Sequence, residues 1–320
     1  MKRFLLGLLL LLLPSLAFAA WPADKPITMI IAYSPGGGTD LVARAIAPYV
    51  EKYLGDGAKI VIVNRAGAGG EIGFAALANA PADGYTIGFV NTPPLLTIPI
   101  ERNAQFGGPQ RFDLLGNIID DPCNFAVHAD SEIRNLKQLA DFARANPGKV
   151  TVGSTGIGSD DHLVMLMFER AAGVKMTHVP FKGSADVRAA MASRQITVAA
   201  INIGESLQAI KGGAGLRNIA QFAPARSNLA PELPTATEQG FPIVLSSLRG
   251  MAAPRGLPAD IRERLVRAVA QAAADPEFQA QATKFFAPLR FLTPAQFEGE
   301  MRQAEQGFRQ LYKELPWGDK

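Results

Sequence analysis

Short apolar runs alternate with helix-like runs along nearly the whole chain, and glycines crowd the junctions between them. Residues 27–32, ITMIIA, read as a buried strand, and a helix follows from Asp40; between them lies SPGGGT. Residues 60–63 (IVIV) and 85–90 (YTIGFV) repeat the strand pattern, the first of them followed by a glycine loop and a short helix over 74–80. Strands separated by helices pair through crossovers, so the pattern implies α/β units with mostly parallel strands.

From about Asn135 the pattern starts again. Helices are expected over 136–146, 161–172 and 185–192, and strands over 150–152, 176–179, 196–201 and 219–222, with a loop over 224–234. The last part reads as helical, over 261–274 and from Pro294 to about residue 315. Both of these helices have proline at the start, where its missing N–H is harmless. Pro48 lies inside the first helix, where a proline removes a hydrogen bond, so a break or bend is expected there.

The N-terminus carries Lys2 and Arg3, an apolar run over 4–13 and the small-residue sequence Ala17-Phe18-Ala19. This is the layout of a secretory signal cleaved after Ala19, with an uncleaved anchor as the alternative. Its apolar run is too short to span a bilayer. Without Lys2 and Arg3, the balance of 32 basic and 29 acidic residues becomes 30 against 29, so the basic pI says little about the mature chain. No polybasic stripe is present, which argues against nucleic acid as a partner. The single cysteine, Cys123, rules out an intramolecular disulfide, and export without disulfides suits a bacterial periplasm.

Three segments share one design: Ser34 to Asp40, Asn64 to Gly73, and Gly153 to His162. Each follows a strand-like run and precedes a helix. Glycine lets a ligand approach the backbone, serine and threonine add donors, and a helix N-terminus favours an anion. None is a nucleotide motif: GAGGEIG lacks the G-x-G-x-x-G spacing, and neither a P-loop nor a G-x-S-x-G elbow occurs. Near the loops only Arg65 and Lys182 are basic, which suits a carboxylate held mainly by amides better than a phosphate. Loops from two domains facing one cleft make a common small-ligand site.

Catalytic constellations are thin. His128, His162 and His178 show no metal-ligand spacing, so neither a metal nor a cofactor is expected. Asp160-Asp161-His162 could serve as acid and base, or one Asp could cap a helix while His162 packs in its first turn. Asp40 could likewise cap its helix, or it could hold an ordered water or a ligand ammonium, and Phe181 is as readily core as ligand wall. Cys123 reads as a small buried hydrophobe.

The segments SPGGGTDLVAR, VNRAGAGGEIG, APADGYTIGF, GSTGIGSDDHL and VPFKG resemble, in order and rough spacing, the extracytoplasmic solute receptors of the tripartite tricarboxylate transporter system, the TctC-like or Bug group. The resemblance covers nearly all the mature chain. It implies an α/β, two-domain, type II periplasmic-binding-protein-like fold with a hinge of two crossing strands, near residues 123–127 and 246–250. It implies a signal over 1–19, a first domain from 20–124 and 249–320, and a second domain over 125–248. It also implies a non-enzymatic periplasmic receptor, expected to be a monomer, that hands a small organic carboxylate to membrane permease subunits.

Carried over to this sequence, Ser34, Gly36, Gly37, Gly38, Thr39, Ala68, Gly69 and Gly70 would bind from the first domain, and Thr155, Ser159 and Phe181 from the second. Asp40, Asn91, Thr92, Ser154, His162 and Asn202 complete the candidate set. The chain departs from the family at Val90 to Pro94, where relatives carry a stretch of small residues, and at residues 101–113, which read as an insertion. Arg194-Gln195-Ile196-Thr197 stands in place of the family's Gly-x-Val-Asp. Asp160 and Asp161 add negative charge that disfavours a polyanion and tolerates an ammonium-bearing or singly charged ligand. The competing readings are a ligand-sensing subunit for a signalling partner and a periplasmic hydrolase using His162; the latter lacks an activated nucleophile.

Overall fold

The computed structural model describes residues 21–318, so the signal read over residues 1–19 lies outside the described residues. In chain order the elements are β1 (Ile27–Ile31), α1 (Gly38–Leu54), β2 (Ile60–Asn64), α2 (Glu71–Ala78), β3 (Thr86–Asn91), α3 (Pro94–Glu101), β4 (Phe112–His128) and α4 (Leu136–Ala145). They continue with β5 (Thr151–Ser154), α5 (Asp160–Ala172), β6 (Thr177–Pro180), α6 (Ser184–Ala192), β7 (Val198–Asn202), α7 (Ile203–Lys211) and β8 (Leu216–Gln221). The chain closes with β9 (Ser246–Pro254), α8 (Ala259–Ala274), α9 (Pro276–Lys284), β10 (Leu289–Leu292) and α10 (Pro294–Glu314).

The fold is α/β with two lobes. The first has the strand order β2-β1-β3-β9-β4-β10, and the second β8-β4-β7-β5-β6. The alternation of side chains along a strand sorts β1 between two cores. Ile27, Met29 and Ile31 pack with α1, α8 and α9, whereas Ile30 and Ala32 pack with α2, α3 and α10 on the other face. Both faces are therefore covered, which is why β1 reads as a continuous apolar run. The second lobe has its own cores, around Phe125, Phe168 and Phe222 and around Val187, Met191 and Ile201.

The long strand β4 belongs to both lobes. Its first part pairs with β9 from Phe112↔Pro254 to Pro122↔Ser246, and from Cys123 onward it pairs with β7 and β8. β4 and β9 are thus the two crossing strands. They also alter one expectation: β9 runs antiparallel to β3 and β4, and β4 runs antiparallel to β7, β8 and β10, so the parallel pairs are confined to β1–β2, β1–β3, β5–β6 and β5–β7. A strand shared by both lobes must leave one sheet and enter the other, and it meets its neighbours head to tail.

Pro48 does not break α1, which runs on to Leu54. Pro48 is exposed, so the Arg44 carbonyl that it leaves without an intrahelical partner is on the solvent side. α3, α7, α9 and β10 stand where the sequence pattern assigned no element.

A candidate solute cleft between the lobes

The turn after β1 is built around Asp40. Its carboxylate accepts the Gly36 N–H at 2.8 Å, Arg44 Nε at 2.9 Å and Asn64 Nδ2 at 2.9 Å. Burial raises the Asp40 pKa, but the Arg44, Gly36 and Asn64 hydrogen bonds outweigh it and hold the carboxyl below its usual range. Gly36 has φ +77, a left-handed conformation that suits glycine. Gly37 is the N-cap of α1, so Gly38 and Thr39 already lie in the helix, ahead of the expected start at Asp40.

Across the cleft, the turn after β5 is tied in the same manner by α5. Ser159 is the N-cap, its Oγ accepting the His162 N–H at 3.2 Å. Asp161 Oδ2 accepts the Thr155 N–H at 3.2 Å and the Thr155 hydroxyl at 2.7 Å. Asp160 Oδ2 accepts Asn202 Nδ2 at 2.7 Å and the Cys123 thiol at 3.1 Å.

The lobes touch. Ser34 Oγ donates to Asp186 at 2.7 Å, Arg188 to the Gly36 carbonyl at 2.7 Å, and Thr97 Oγ1 to the Gly158 carbonyl at 2.7 Å. Gly69 and Gly156 meet backbone to backbone: a Cβ on Gly156 would lie 2.6 Å from the Gly69 Cα. Between these contacts lies a cavity of about 20 Å³, lined among others by Tyr33, Thr39, Asn91, Asp160, Ser184 and Arg249. That volume holds little more than a water molecule, so an organic solute enters only when the lobes part.

At the centre of the hinge, Arg249 on β9 is 3% exposed. It donates to Asn202 Oδ1 at 2.8 Å and lies 3.1 Å from Glu205 and 3.5 Å from Asp121. Glu205 reaches across to accept the Gly38 N–H at 3.0 Å. A Cβ on Gly38 would overlap both Arg249 and Glu205, so this glycine is required by the close approach. Asp121 also accepts the Gly204 N–H at 3.1 Å. Burial pushes the Asp121 carboxyl up to about 8, against the pull of Arg249. Burial likewise raises Asp160 and, together with the charge of Asp160, Asp161.

Of the residues expected at the site, Gly37, Gly38, Thr39, Asn91, Thr155 and Asn202 line the cavity. Ser34 and Gly36 form lobe-to-lobe bonds at its rim. Asp40 braces its loop, and Thr92 fastens β9 by accepting the Leu248 N–H at 3.3 Å. Ala68, Gly69 and Gly70 form a 3-10 turn, whose Gly69 faces Gly156 of the other lobe rather than the cavity. Ser154 and Ser159 bind the β5–α5 turn to itself. Phe181 packs with the Val187 core. His162 accepts the Gly158 N–H at 3.2 Å and stacks on His178 at 3.8 Å between ring centroids. Burial, with the nearby His178, pushes its pKa down to about 3. Cys123 is buried in the second lobe's core, as its apolar reading had it. Arg65 and Lys182, the cations nearest the loops in sequence, are exposed and do not line the cavity.

The sequence reading missed Arg249 and Glu205. Both had a signal. Arg249 interrupts an otherwise uncharged strand, SSLRGMAAP, and Asn202-Ile203-Gly204-Glu205 has the spacing of a capping box, in which Glu205 Oε2 accepts the Asn202 N–H at 3.2 Å.

Comparison with known proteins agrees with this architecture. The family described as "Tripartite tricarboxylate transporter family receptor" matches residues 42–290. Protein BugT of Bordetella pertussis is 31% identical over 239 residues, 74% of this chain and 72% of that protein. The "UPF0065 protein in gbd 5'region" of Cupriavidus necator is 29% identical over 279 residues, 85% of this chain and 84% of that protein. The structure of the periplasmic binding protein BugD superposes with a TM-score of 0.85 at 28% identity, covering 92% of this chain and 99% of BugD. An R. palustris protein with adipate gives a TM-score of 0.85 at 26% identity, covering 92% of this chain and 98% of that one. Among the described residues no helix is long and apolar enough to cross a membrane. The chain belongs to the family of tripartite tricarboxylate transporter receptors.

Proposed function

We propose that this protein is a periplasmic solute receptor that closes its two lobes on a small carboxylate-bearing organic solute and delivers it to a tripartite tricarboxylate-type membrane transporter. In this reading residues 1–19 are removed on export, residues 20–124 and 249–320 form one lobe, and residues 125–248 form the other. The observation that carries it is the cavity between the lobes, where the N-terminus of α1 and the Arg249 guanidinium stand together. Both favour a carboxylate. The similar R. palustris structure with adipate supports the same ligand class.

Against the hydrolase reading, His162 uses Nδ1 to accept the Gly158 N–H, and burial pushes its pKa down to about 3, which makes the ring a poor proton acceptor. Closure of the lobes would explain how loop amides that are far apart in sequence hold one molecule.

A thermal-shift screen of organic acids tests the reading. A ligand that binds only the folded chain adds RT ln(1 + [L]/Kd) to its stability, so at least one small carboxylate should raise Tm. If no carboxylate in a broad panel raises it at millimolar concentration, the reading fails. The delivery step is tested by uptake of that acid in cells with and without the receptor; equal uptake would leave the protein without a transport role.

A further inference from the structure

The cavity wall is acidic. Asp160 and Glu205 line it, and Asp121 and Asp161 stand beside them. All four are at least 93% buried. Arg249 is the one cation among the cavity-lining residues, and Glu205 and Asp121 already face it at 3.1 and 3.5 Å. Asp160 and Asp161 therefore have no cation of their own.

Three buried polar atoms at this place have no hydrogen-bond partner among the described residues: Asp161 Oδ1, Arg249 Nε and Oδ1 of the cavity-lining Asn91. Asp161 Oδ1 is buried without a hydrogen bond, although Oδ2 of the same carboxylate takes two from Thr155. Arg249 Nε is a buried donor without an acceptor. A buried acceptor and a buried donor left unsatisfied each carry a desolvation cost that a complementary ligand removes. A solute with a carboxylate at one end and a cationic donor at the other meets both, and a second carboxylate would face Asp160 and Asp161 instead.

We propose that the solute carries, besides its carboxylate, a protonated amine that is received by Asp160 and Asp161 at the start of α5. The proposal rests on the receptor reading and narrows its ligand to an amino-carboxylate. A divalent metal on Cys123, Asp160 and Asp161, whose ligand atoms lie within 4.8 Å of one another, is the competing occupant. It is disfavoured because the Cys123 thiol donates its proton to Asp160 and burial pushes its pKa up, away from the thiolate that a metal needs.

The titratable groups around the proposed amine are Asp121 and Cys123 on β4, Asp160 and Asp161 on α5, Glu205 on α7, Arg249 on β9 and the Tyr33 hydroxyl after β1. Burial raises the carboxyls of Asp121, Asp160 and Asp161, a desolvation cost that a cation beside Asp160 and Asp161 relieves.

The test is calorimetry at pH 7 with matched acids: 4-aminobutyrate and 5-aminovalerate, glycine and glutamate, against butyrate, glutarate and adipate. Amine-bearing acids should bind at least tenfold more tightly than amine-free acids of the same length. Asp160→Asn should reduce that preference at least tenfold; if this variant does not fold, the wild-type preference for glutamate over glutarate decides. Equal or tighter binding of glutarate or adipate would overturn the proposal and leave the carboxylate receptor standing. Stabilisation by Zn²⁺ or Mn²⁺ alone, with no amino acid bound, would also overturn it. If no acid of either set binds, the receptor reading itself fails.

Discussion

The Glu205 carboxylate, carried by the second lobe, accepts the N–H of Gly38 at the N-terminus of the first lobe's leading helix, at 3.0 Å. The protein thus places an anion of its own at the amide that a solute's carboxylate would seek. The same carboxylate lies 3.1 Å from Arg249 and accepts the Asn202 N–H at 3.2 Å. Glu205 therefore links helix, hinge strand and second lobe, and opening of the cleft must break its bond to Gly38.

Glu205→Ala should destabilise the protein by about 3 kcal/mol, near the low end for one partner removed from a buried ion pair, because Asp121 at 3.5 Å, whose pKa the Glu205 charge helps to raise, can ionise in its place. Urea denaturation measures it. A loss below about 0.5 kcal/mol would mean that the pair contributes no more than a surface contact.

Stability should fall as the pH rises from about 6.5 to 8. Burial holds the folded Asp121 carboxyl protonated up to about 8, whereas the unfolded chain loses this proton near its ordinary value, so the folded state binds more protons across this window. Asp160 and Asp161 act in the same direction. His162 opposes them only below its unfolded value, because burial lowers its folded pKa to about 3 and stability is lost as the pH falls through the range between the two. The slope should be on the order of 1 kcal/mol per pH unit. Asp121→Asn should reduce it. A wild-type stability that is flat or rising between pH 6.5 and 8 would contradict the buried-acid account.

Asp40→Ala should cost about 1–2 kcal/mol and Asp40→Asn less. The alanine leaves the Gly36 N–H without its acceptor, whereas asparagine can still accept it, and the ion pair to half-exposed Arg44 contributes little. Equal losses in the two variants would show that the charge and not the loop hydrogen bond is what counts.

The fold was legible wherever the period was clean. The strand over residues 27–32 and the helices after the glycine turns followed from apolar alternation and turn chemistry. β4 was only partly legible, because its lobe-to-lobe passage shows as a long run with Asp113, Asp120 and Asp121 inside it, and no short-range pattern tells that a strand changes sheets. The glycine turns pointed to the cleft, and Gly37, Gly38, Thr39 and Thr155 do line the cavity. Arg65 and Lys182, the basic residues nearest the loops in sequence, face solvent, while the central cation comes from residue 249. Contacts between residues so far apart, such as Arg249 with Asn202 and Glu205, exist only after both lobes have folded and closed.

Gly183→Val should keep the fold and hold the cleft open. Gly183 has φ 172, extended backbone that valine adopts without strain, so the second lobe should fold around it. Its Cβ, however, would lie 3.0 Å from the Ser34 nitrogen and 3.3 Å from the Ser34 Cβ, on the opposite lobe. Two further atoms on that Cβ would wedge the turn after β1 away from the turn after β6 and remove the bond from the Ser34 N–H to the Lys182 carbonyl at 3.3 Å. Small-angle scattering should then give a larger radius of gyration than the wild type under conditions in which the wild type is closed. Affinity for whichever organic acid stabilises the wild type should fall at least tenfold, because the lobes can no longer enclose it. A radius and an affinity both equal to the wild type, in a variant with an unchanged melting temperature, would show that this contact plays no part in closure.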